Sequence, residues 1–214
     1  MICAMKNVVI DNYKYERELN EKGITLIAGV DEVGRGPLIG PVVAAAVILP
    51  KDFELKGLTD SKKLSEKKRE EFYKIINEEA ISIGIGIIYE KRIDEINIYE
   101  ATKEAMIMAI NNLKVKPEHI LIDAMPLNLD IETTSIIKGD LNSITISAAS
   151  VIAKVTRDHM LYEMDKEFPM YDLKNNKGYG TKKHIEAIKE YGITKYHRLS
   201  YKPVFDNKDK VNNN

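Results

Sequence analysis

The sequence predicts an α/β fold, a mixed β-sheet flanked by α-helices with a helical C-terminal part. Three observations carry that reading. Apolar runs of strand length recur at residues 24–30, 42–49, 81–88 and 120–123. Segments with helical apolar spacing fill the intervals between the later runs. The first two runs stand close enough in sequence to pair antiparallel, after which strands and helices alternate.

Residues 1–23 are mixed and charged and suit one short helix leading into the strand at 24–30. Gly34, Gly36, Pro37, Gly40 and Pro41 punctuate the turn that follows. The second strand runs from Val42 to Leu49, and Pro50 stops it. Ser65 is placed to cap a helix over residues 66–79, with Phe72, Ile75 and Ile76 on one face. Residues 81–88 alternate large and small, which suits a strand packed tightly on a helix. Asn97 and Glu100 have capping-box spacing for a helix running to Leu113. Pro117 separates that helix from a short buried strand ending in Asp123. Ser147 then opens a helix with Val151, Ile152, Val155, His159 and Tyr162 at helical spacing. A last helix over 183–191 follows the Gly178-Tyr179-Gly180 turn. Residues 206–214 are polar and expected to be disordered. With no repeat and no interior linker, the expected organisation is an extension over 1–23, one domain over 24–205 and a tail over 206–214.

A chain of 214 residues can bury a sizeable core in a single domain. Hydrophobic residues at 44% and charged residues at 30% describe a soluble globular composition. The longest apolar run, 42–49, falls far short of the about 18 residues a membrane span needs. The first residues lack the apolar core of a secretory signal. Cys3 is the sole cysteine, so an internal disulfide is excluded and a reducing cytoplasm is the expected location. A net charge of −1 excludes nucleic-acid binding by bulk charge alone. Local clusters matter more: Lys62, Lys63, Lys67, Lys68 and Arg69; Lys174, Lys177, Lys182 and Lys183; and Lys195, His197, Arg198 and Lys202. Each alone reads as a solvated face. Together, beside strands that end in carboxylates, they suit phosphate tracking.

The segment Ile27-Ala28-Gly29-Val30-Asp31-Glu32-Val33-Gly34-Arg35-Gly36-Pro37 says most about chemistry. A buried strand running into two carboxylates is costly unless something pairs with the charge, and a divalent metal is the simplest partner. Four acids stand out by position: Asp31, Glu32, Asp123 and Asp140. Three of them close strands, where ligands bind in open α/β sheets. Neighbouring strand residues project to opposite faces, so Asp31 and Glu32 converge only if the strand ends or bulges there. Oxygen donors without a histidine or cysteine cluster favour Mg²⁺ or Mn²⁺. His119, His159, His184 and His197 are scattered and read as packing or hydrogen-bonding groups. Lys154, Arg157 and Asp158 read as helix salt-bridge residues. Nucleophile-elbow, Walker A and dinucleotide-binding glycine patterns are missing. Carboxylates flanked by basic clusters suit two-metal phosphoryl transfer, with ions about 3.5–4 Å apart. The residues alone lead to metal-dependent phosphodiester chemistry and no further.

Several blocks, in order, resemble the type 2 ribonucleases H, and among them bacterial ribonuclease HII. These are the segment Gly29 to Pro41, Asp60-Ser61-Lys62-Lys63-Leu64-Ser65, Ile96-Asn97-Ile98, Ile122-Asp123-Ala124, Lys138-Gly139-Asp140, the run Ser147 to Asp158, Lys177-Gly178-Tyr179-Gly180-Thr181 with His184, and His197-Arg198-Leu199-Ser200-Tyr201-Lys202-Pro203. The resemblance covers residues 24–205. It implies an RNase H-like fold and endonucleolytic cleavage of RNA in RNA–DNA hybrids. Cleavage 5′ of single ribonucleotides in duplex DNA is implied too, leaving 3′-hydroxyl and 5′-phosphate ends. It further implies Mn²⁺ or Mg²⁺, two ions in catalysis, held by Asp31, Glu32, Asp123 and Asp140. Gly34, Arg35, Gly36 and Tyr179 would read the 2′-hydroxyl at the RNA–DNA junction, the group that separates RNA from DNA. Ser61, Lys62 and Lys63 would contact backbone phosphates, which position without specifying sequence. Tyr201 stands where the family often has phenylalanine. The larger N-terminal domain of the sibling ribonuclease HIII is not seen. A monomer without an obligate protein partner is expected. A binding module without catalysis and a nuclease acting on all-DNA duplexes are the rival readings.

Overall fold

The computed structural model describes residues 11–211. Strands β1 (Ile27–Val33), β2 (Val42–Ile48), β3 (Ser82–Ile88), β4 (His119–Asp123) and β5 (Thr133–Ile136) form one sheet in the order β3-β2-β1-β4-β5. The β1–β2 and β2–β3 pairs are antiparallel, and β1–β4 and β4–β5 are parallel, so the sheet is mixed as expected. Helices α1 (Lys14–Glu21), α2 (Glu66–Glu79), α3 (Glu90–Asn111), α4 (Gly139–Asn142), α5 (Ile144–Glu167), α6 (Leu173–Asn176), α7 (Lys182–Tyr191) and α8 (Lys202–Phe205) surround it.

Strand alternation sorts the core into two layers. Ala28, Val30, Val42, Ala44, Ala46, Ile120 and Ile122 pack with Ala101, Ala105, Met106 and Ala109 of α3. The opposite side chains of β2, Val43, Ala45 and Val47, pack with Phe72 and Ile76 of α2 and with Ala148, Val151 and Ile152 of α5. The backbone of α3 lies directly on Gly84 and Gly86 of β3, which accounts for the large–small alternation there. A third cluster of Leu38, Ile39, Leu161, Phe168, Tyr171, Leu173 and Ile188 builds the helical C-terminal part against the end of α5.

Several elements differ from expectation, each for a local reason. β1 continues through Asp31, Glu32 and Val33 in unbroken register with Ala45, Ala44 and Val43, so no bulge forms. Antiparallel pairing with β2 holds the backbone there after the apolar run has ended. The strand β5 escaped the sequence reading because it is a half-exposed edge of four residues with little alternation, cued only by Thr133 and Thr134. Asn97 does cap a helix, its side chain accepting from the Tyr99 and Glu100 amides. That cap is a kink inside a longer α3, with Asn97 at φ 69°. α5 opens at Ser143, whose hydroxyl accepts from the Ile146 amide, one turn before the expected Ser147. Part of the tail expected to lack order is placed: the Ile193 N–H donates to the Lys210 carbonyl at 2.8 Å and Val211 bridges Ile193. Residues 1–10, with Cys3, and 212–214 lie outside the described residues.

Candidate metal and nucleic-acid site

Topology brings Asp31 and Asp123 to one face of the sheet. The parallel β1–β4 register runs to Val30 opposite Ile122, so the next residues, Asp31 and Asp123, stand side by side where the pairing ends. Gly29 lies against the backbone of Thr145 and Ile146 in α5, so Asp31, two residues on, faces α5 as well. Leu121 packs with Ile146, and Asp123 shares that side by the same alternation. α4 delivers Asp140 to this face. The Ser147 hydroxyl donates to the Asp140 carbonyl at 2.9 Å, and the Gly139 N–H donates to Asp123 Oδ1 at 2.7 Å. Ser147 therefore holds the acidic turn instead of starting a helix.

Glu32 is the exception. Its strand has no bulge, so it leaves the backbone on the opposite face from Asp31, yet at the strand end its carboxylate still lies within the fields of Asp31, Asp123 and Lys62. Its carboxylate lies 3.5 Å from the Arg35 guanidinium.

The cluster is electrostatically strained. Burial pushes the Asp31 carboxyl well above the usual range, and the Glu32 and Asp123 charges add to the effect. A hydrogen bond with Ser150 and the Glu32 amide, 2.8 Å from Oδ1, oppose it. Burial also raises Glu32, against the pull of Arg35 and Lys62 and with a further push from Asp123. Asp140 is raised by burial, then by Asp60 and Asp123, with Lys62 opposing. Lys62 answers these charges. Partial burial works against its ammonium, yet the fields of Asp31, Asp60, Asp140 and Glu32 outweigh that and raise its pKa. Such oxygen donors, crowded at low dielectric with too few cations, have the chemistry of a hard divalent ion site. Among the described residues no group of three or more His, Cys, Asp or Glu side chains has the spacing to hold an ion directly. The donors share a field without forming a closed cage.

Residues 61–63 are expected to contact phosphates, and the structure of the turn they form with Asp60 is more specific. Asp60 caps a short 3₁₀ turn, accepting from the Lys62 amide at 2.9 Å, and shares a hydrogen bond with Asp140. Sequence reasoning missed Asp60, although its position just before Ser61-Lys62-Lys63 was the signal. Ser61 is buried, its hydroxyl 2.8 Å from that of Ser150, the residue bonded to Asp31. Its side chain faces the carboxylates from below, while Lys62 and Lys63 remain exposed.

The Gly34-Arg35-Gly36 turn is built on two buried arginines. Arg198 donates to the Gly34 carbonyl at 2.7 Å, the Arg35 carbonyl at 3.1 Å and the Gly40 carbonyl at 2.6 Å. Arg157 donates to the Pro41 carbonyl at 2.9 Å, Ile39 at 3.0 Å and Lys177 at 3.0 Å. Tyr201 adds a hydroxyl bond to the Arg35 carbonyl. Gly34 sits at φ +97°, and a Cβ there would strike the Arg157 side chain, so the position admits glycine alone. Gly36 is exposed, and a Cβ on it would lie 3.2 Å from Cε1 of Tyr179. The turn and the Tyr179 ring, far apart in sequence, therefore form one surface.

The basic clusters fare unequally. His197 and Arg198 are buried and cannot track phosphates, because their donors are used inside the fold. Lys177 is turned onto the Tyr162 ring and bonds the Tyr162 hydroxyl at 2.6 Å. Lys183 pairs with Asp172 at 2.9 Å. Arg69 binds the Ser61 and Leu64 carbonyls, bracing the 3₁₀ turn. Lys154 and Asp158 form the expected helix salt bridge at 2.6 Å, whereas Arg157 takes carbonyls instead of a carboxylate.

The family described as Ribonuclease HII matches residues 28–204. A ribonuclease HII of Bacillus mycoides (strain KBAB4) is 60% identical over 193 residues, covering 90% of this chain and 75% of its own length. One from Bacillus thuringiensis (strain Al Hakam) is 59% identical over 201 residues, covering 94% and 78%. Among solved structures, the ribonuclease H2 of Pyrococcus horikoshii OT3 superposes with a TM-score of 0.74 at 25% identity, covering 86% of this chain and 97% of that one. With a match across the whole sheet and most of the helical layer, this chain belongs to the ribonuclease HII family.

Proposed function

We propose that the protein is a divalent-metal-dependent endoribonuclease that cuts RNA in RNA–DNA hybrids. It also cuts 5′ of single ribonucleotides in duplex DNA, leaving 3′-hydroxyl and 5′-phosphate ends. The observation that carries the reading is the contact between Tyr179 and Gly36 on a turn that leads directly out of the strand bearing Asp31. An exposed ring beside exposed backbone is suited to a ribose: glycine amides reach a 2′-hydroxyl that side chains would block, and the ring stacks on the sugar. Arg157 and Arg198 keep the turn's carbonyls occupied, so the remaining main-chain groups of Gly34, Arg35 and Gly36 are presented in one arrangement. Lys62 and Lys63 would hold the phosphates next to the carboxylates, with Ser61 supporting them from inside.

Asp31, Glu32, Asp123 and Asp140 would hold Mn²⁺ or Mg²⁺, two ions during catalysis. Bound metal would supply an activated water and stabilise the leaving oxygen. Ser150 orients Asp31 through a hydrogen bond, and Asp60 adds a further negative charge beside Asp140. The protein is further read as a cytoplasmic monomer without an obligate partner. No helix among the described residues is long and apolar enough to cross a membrane.

The test is cleavage of matched duplexes containing zero, one or several ribonucleotides, with Mg²⁺, Mn²⁺ or chelator. Nicking 5′ of the lone ribonucleotide, and only with metal, is the expected result. Asp31→Asn should lose at least about a thousandfold in rate, the scale of removing a charge-stabilising group from a phosphoryl-transfer site. It should fold at wild-type stability or better, because it removes one of several crowded, buried negative charges. Equal cutting of all-DNA duplexes, metal-independent cutting, or wild-type turnover by Asp31→Asn would each refute the reading.

A further inference from the structure

Tyr179 is held by a buried chain of hydrogen bonds that the reaction does not use. His184 Nδ1 lies 3.0 Å from the Tyr179 carbonyl, and His184 Nε2 lies 3.3 Å from His197 Nε2. The Thr194 amide lies 2.9 Å from His197 Nδ1. Both ends of this chain have a fixed sense. An amide N–H only donates and a carbonyl only accepts, so His197 Nδ1 must accept and His184 Nδ1 must carry a proton. One proton remains for the contact between the rings, on His197 Nε2, and His184 Nε2 accepts it. Every link then points the same way, from Thr194 through His197 and His184 to Tyr179, with both rings neutral. The surroundings enforce neutrality. Both histidines are buried, and Tyr171 packs edge-on against each, at 5.8 and 5.0 Å. Burial pulls His184 below its ordinary pKa and takes His197 to about 3, with His184 contributing.

We propose that His184 and His197 are positioning residues for Tyr179: they fix the main chain that carries its ring onto Gly36 and so set how a ribonucleotide is seated. The inference rests on Tyr179 touching substrate, as proposed above. The loop has other ties, since the Leu38 amide bonds the Gly178 carbonyl at 2.8 Å and Arg157 bonds Lys177. Those bonds fix where the loop runs. The histidine pair is what reaches the Tyr179 carbonyl from beneath, and Thr181 N–H is its other partner at 2.8 Å.

The experiment is a double-mutant cycle on cleavage of a duplex with one ribonucleotide. His184→Leu removes the donor and should lower kcat/KM about tenfold, a difference of about 1.4 kcal/mol. In a Tyr179→Ala background the same change should cost less than twofold, because the residue it positions is gone. His184→Asn keeps an N–H near Nδ1 and should recover to within threefold of wild type. Should the leucine variant not fold, His197→Phe tests the next link. It keeps the ring packing but frees the His184 tautomer, and should lose three- to fivefold in the wild-type background alone. Additive losses in the Tyr179→Ala background, or full activity of folded His184→Leu or His197→Phe, overturn the inference while leaving the proposed reaction standing. A wild-type rate for Tyr179→Ala overturns both the inference and the assignment of that residue to substrate.

Discussion

Glu90 shows how a single side chain couples the two buried arginines to stability. It is the first residue of α3, almost fully buried, and its Oε1 has no hydrogen-bond partner. Burial pushes its pKa from 4.5 to about 7, against the fields of Arg198 and Arg157 and with Asp94 adding a little. The folded protein therefore holds a proton on Glu90 between pH 4.5 and 7 where the unfolded chain has released it. Stability from this group is full below pH 4.5 and is lost as pH rises to 7, by up to about 3 kcal/mol. Glu90→Gln should accordingly be more stable than the parent at pH 8, by about 1–2 kcal/mol after relaxation, and gain nothing at pH 4.5. Urea midpoints of both proteins at the two pH values check this, and a pH-independent difference would refute it. The sequence disclosed part of this residue scale. Asp31 and Asp123 were legible because an acid directly follows an apolar run. Arg157 and Arg198 were not: Arg157, next to Asp158, reads as a helix salt bridge, Arg198 in its basic cluster reads as surface, and the carbonyl partners of both lie in a distant turn.

Elements were legible where a segment's own pattern decides its structure. α2, capped by Ser65, and α7 match the expected spans closely, and the β2 run is apolar on both faces because helices cover both. Boundaries set by tertiary contact were not legible. β1 extends because β2 pairs with it, and α5 starts at Ser143 because that serine also bonds the buried Glu16 of α1 at 2.6 Å. The packing of α5 on β1 depends on Gly29. A Cβ at Gly29 would collide with the Thr145 and Ile146 backbone, which cannot step aside as a side-chain tip could. Gly29→Ala should therefore destabilise the fold by at least about 3 kcal/mol, the upper range for overpacking, because helix or strand must move. A urea titration measures this directly, and a loss under 1 kcal/mol would show that the contact is loose. The shift would also separate Asp31 from Ser150, so activity should fall more than the folded fraction does.

At the scale of the molecule, charge is arranged more sparingly than the sequence suggests. The chain carries 32 lysines and arginines against 33 aspartates and glutamates. Of its three basic clusters, folding withdraws His197 and Arg198 into the interior and turns Lys177 onto Tyr162, while Lys183 stays exposed beside Asp172. Lys62 and Lys63 stay exposed beside the carboxylates. Few phosphates are neutralised if only the lysines beside the acidic face engage, although Lys67, Lys174, Lys182, Lys195 and Lys202 are exposed as well. Each neutralised phosphate of a duplex contributes a slope of about −0.9 to log K against log salt. Binding of a ribonucleotide-containing duplex, measured with Asp31→Asn so that it is not cut, should show a slope of about −2 to −4. Lys63→Ala should bring it about one unit closer to zero, by the loss of one such contact. A parent slope steeper than about −6 would mean that the exposed lysines of the second and third clusters, Lys174, Lys182, Lys195 and Lys202, reach the backbone as well. A slope in the expected range would place the affinity on the local surface of the turn, Tyr179 and the acidic face, and so discrimination and chemistry on the same few residues.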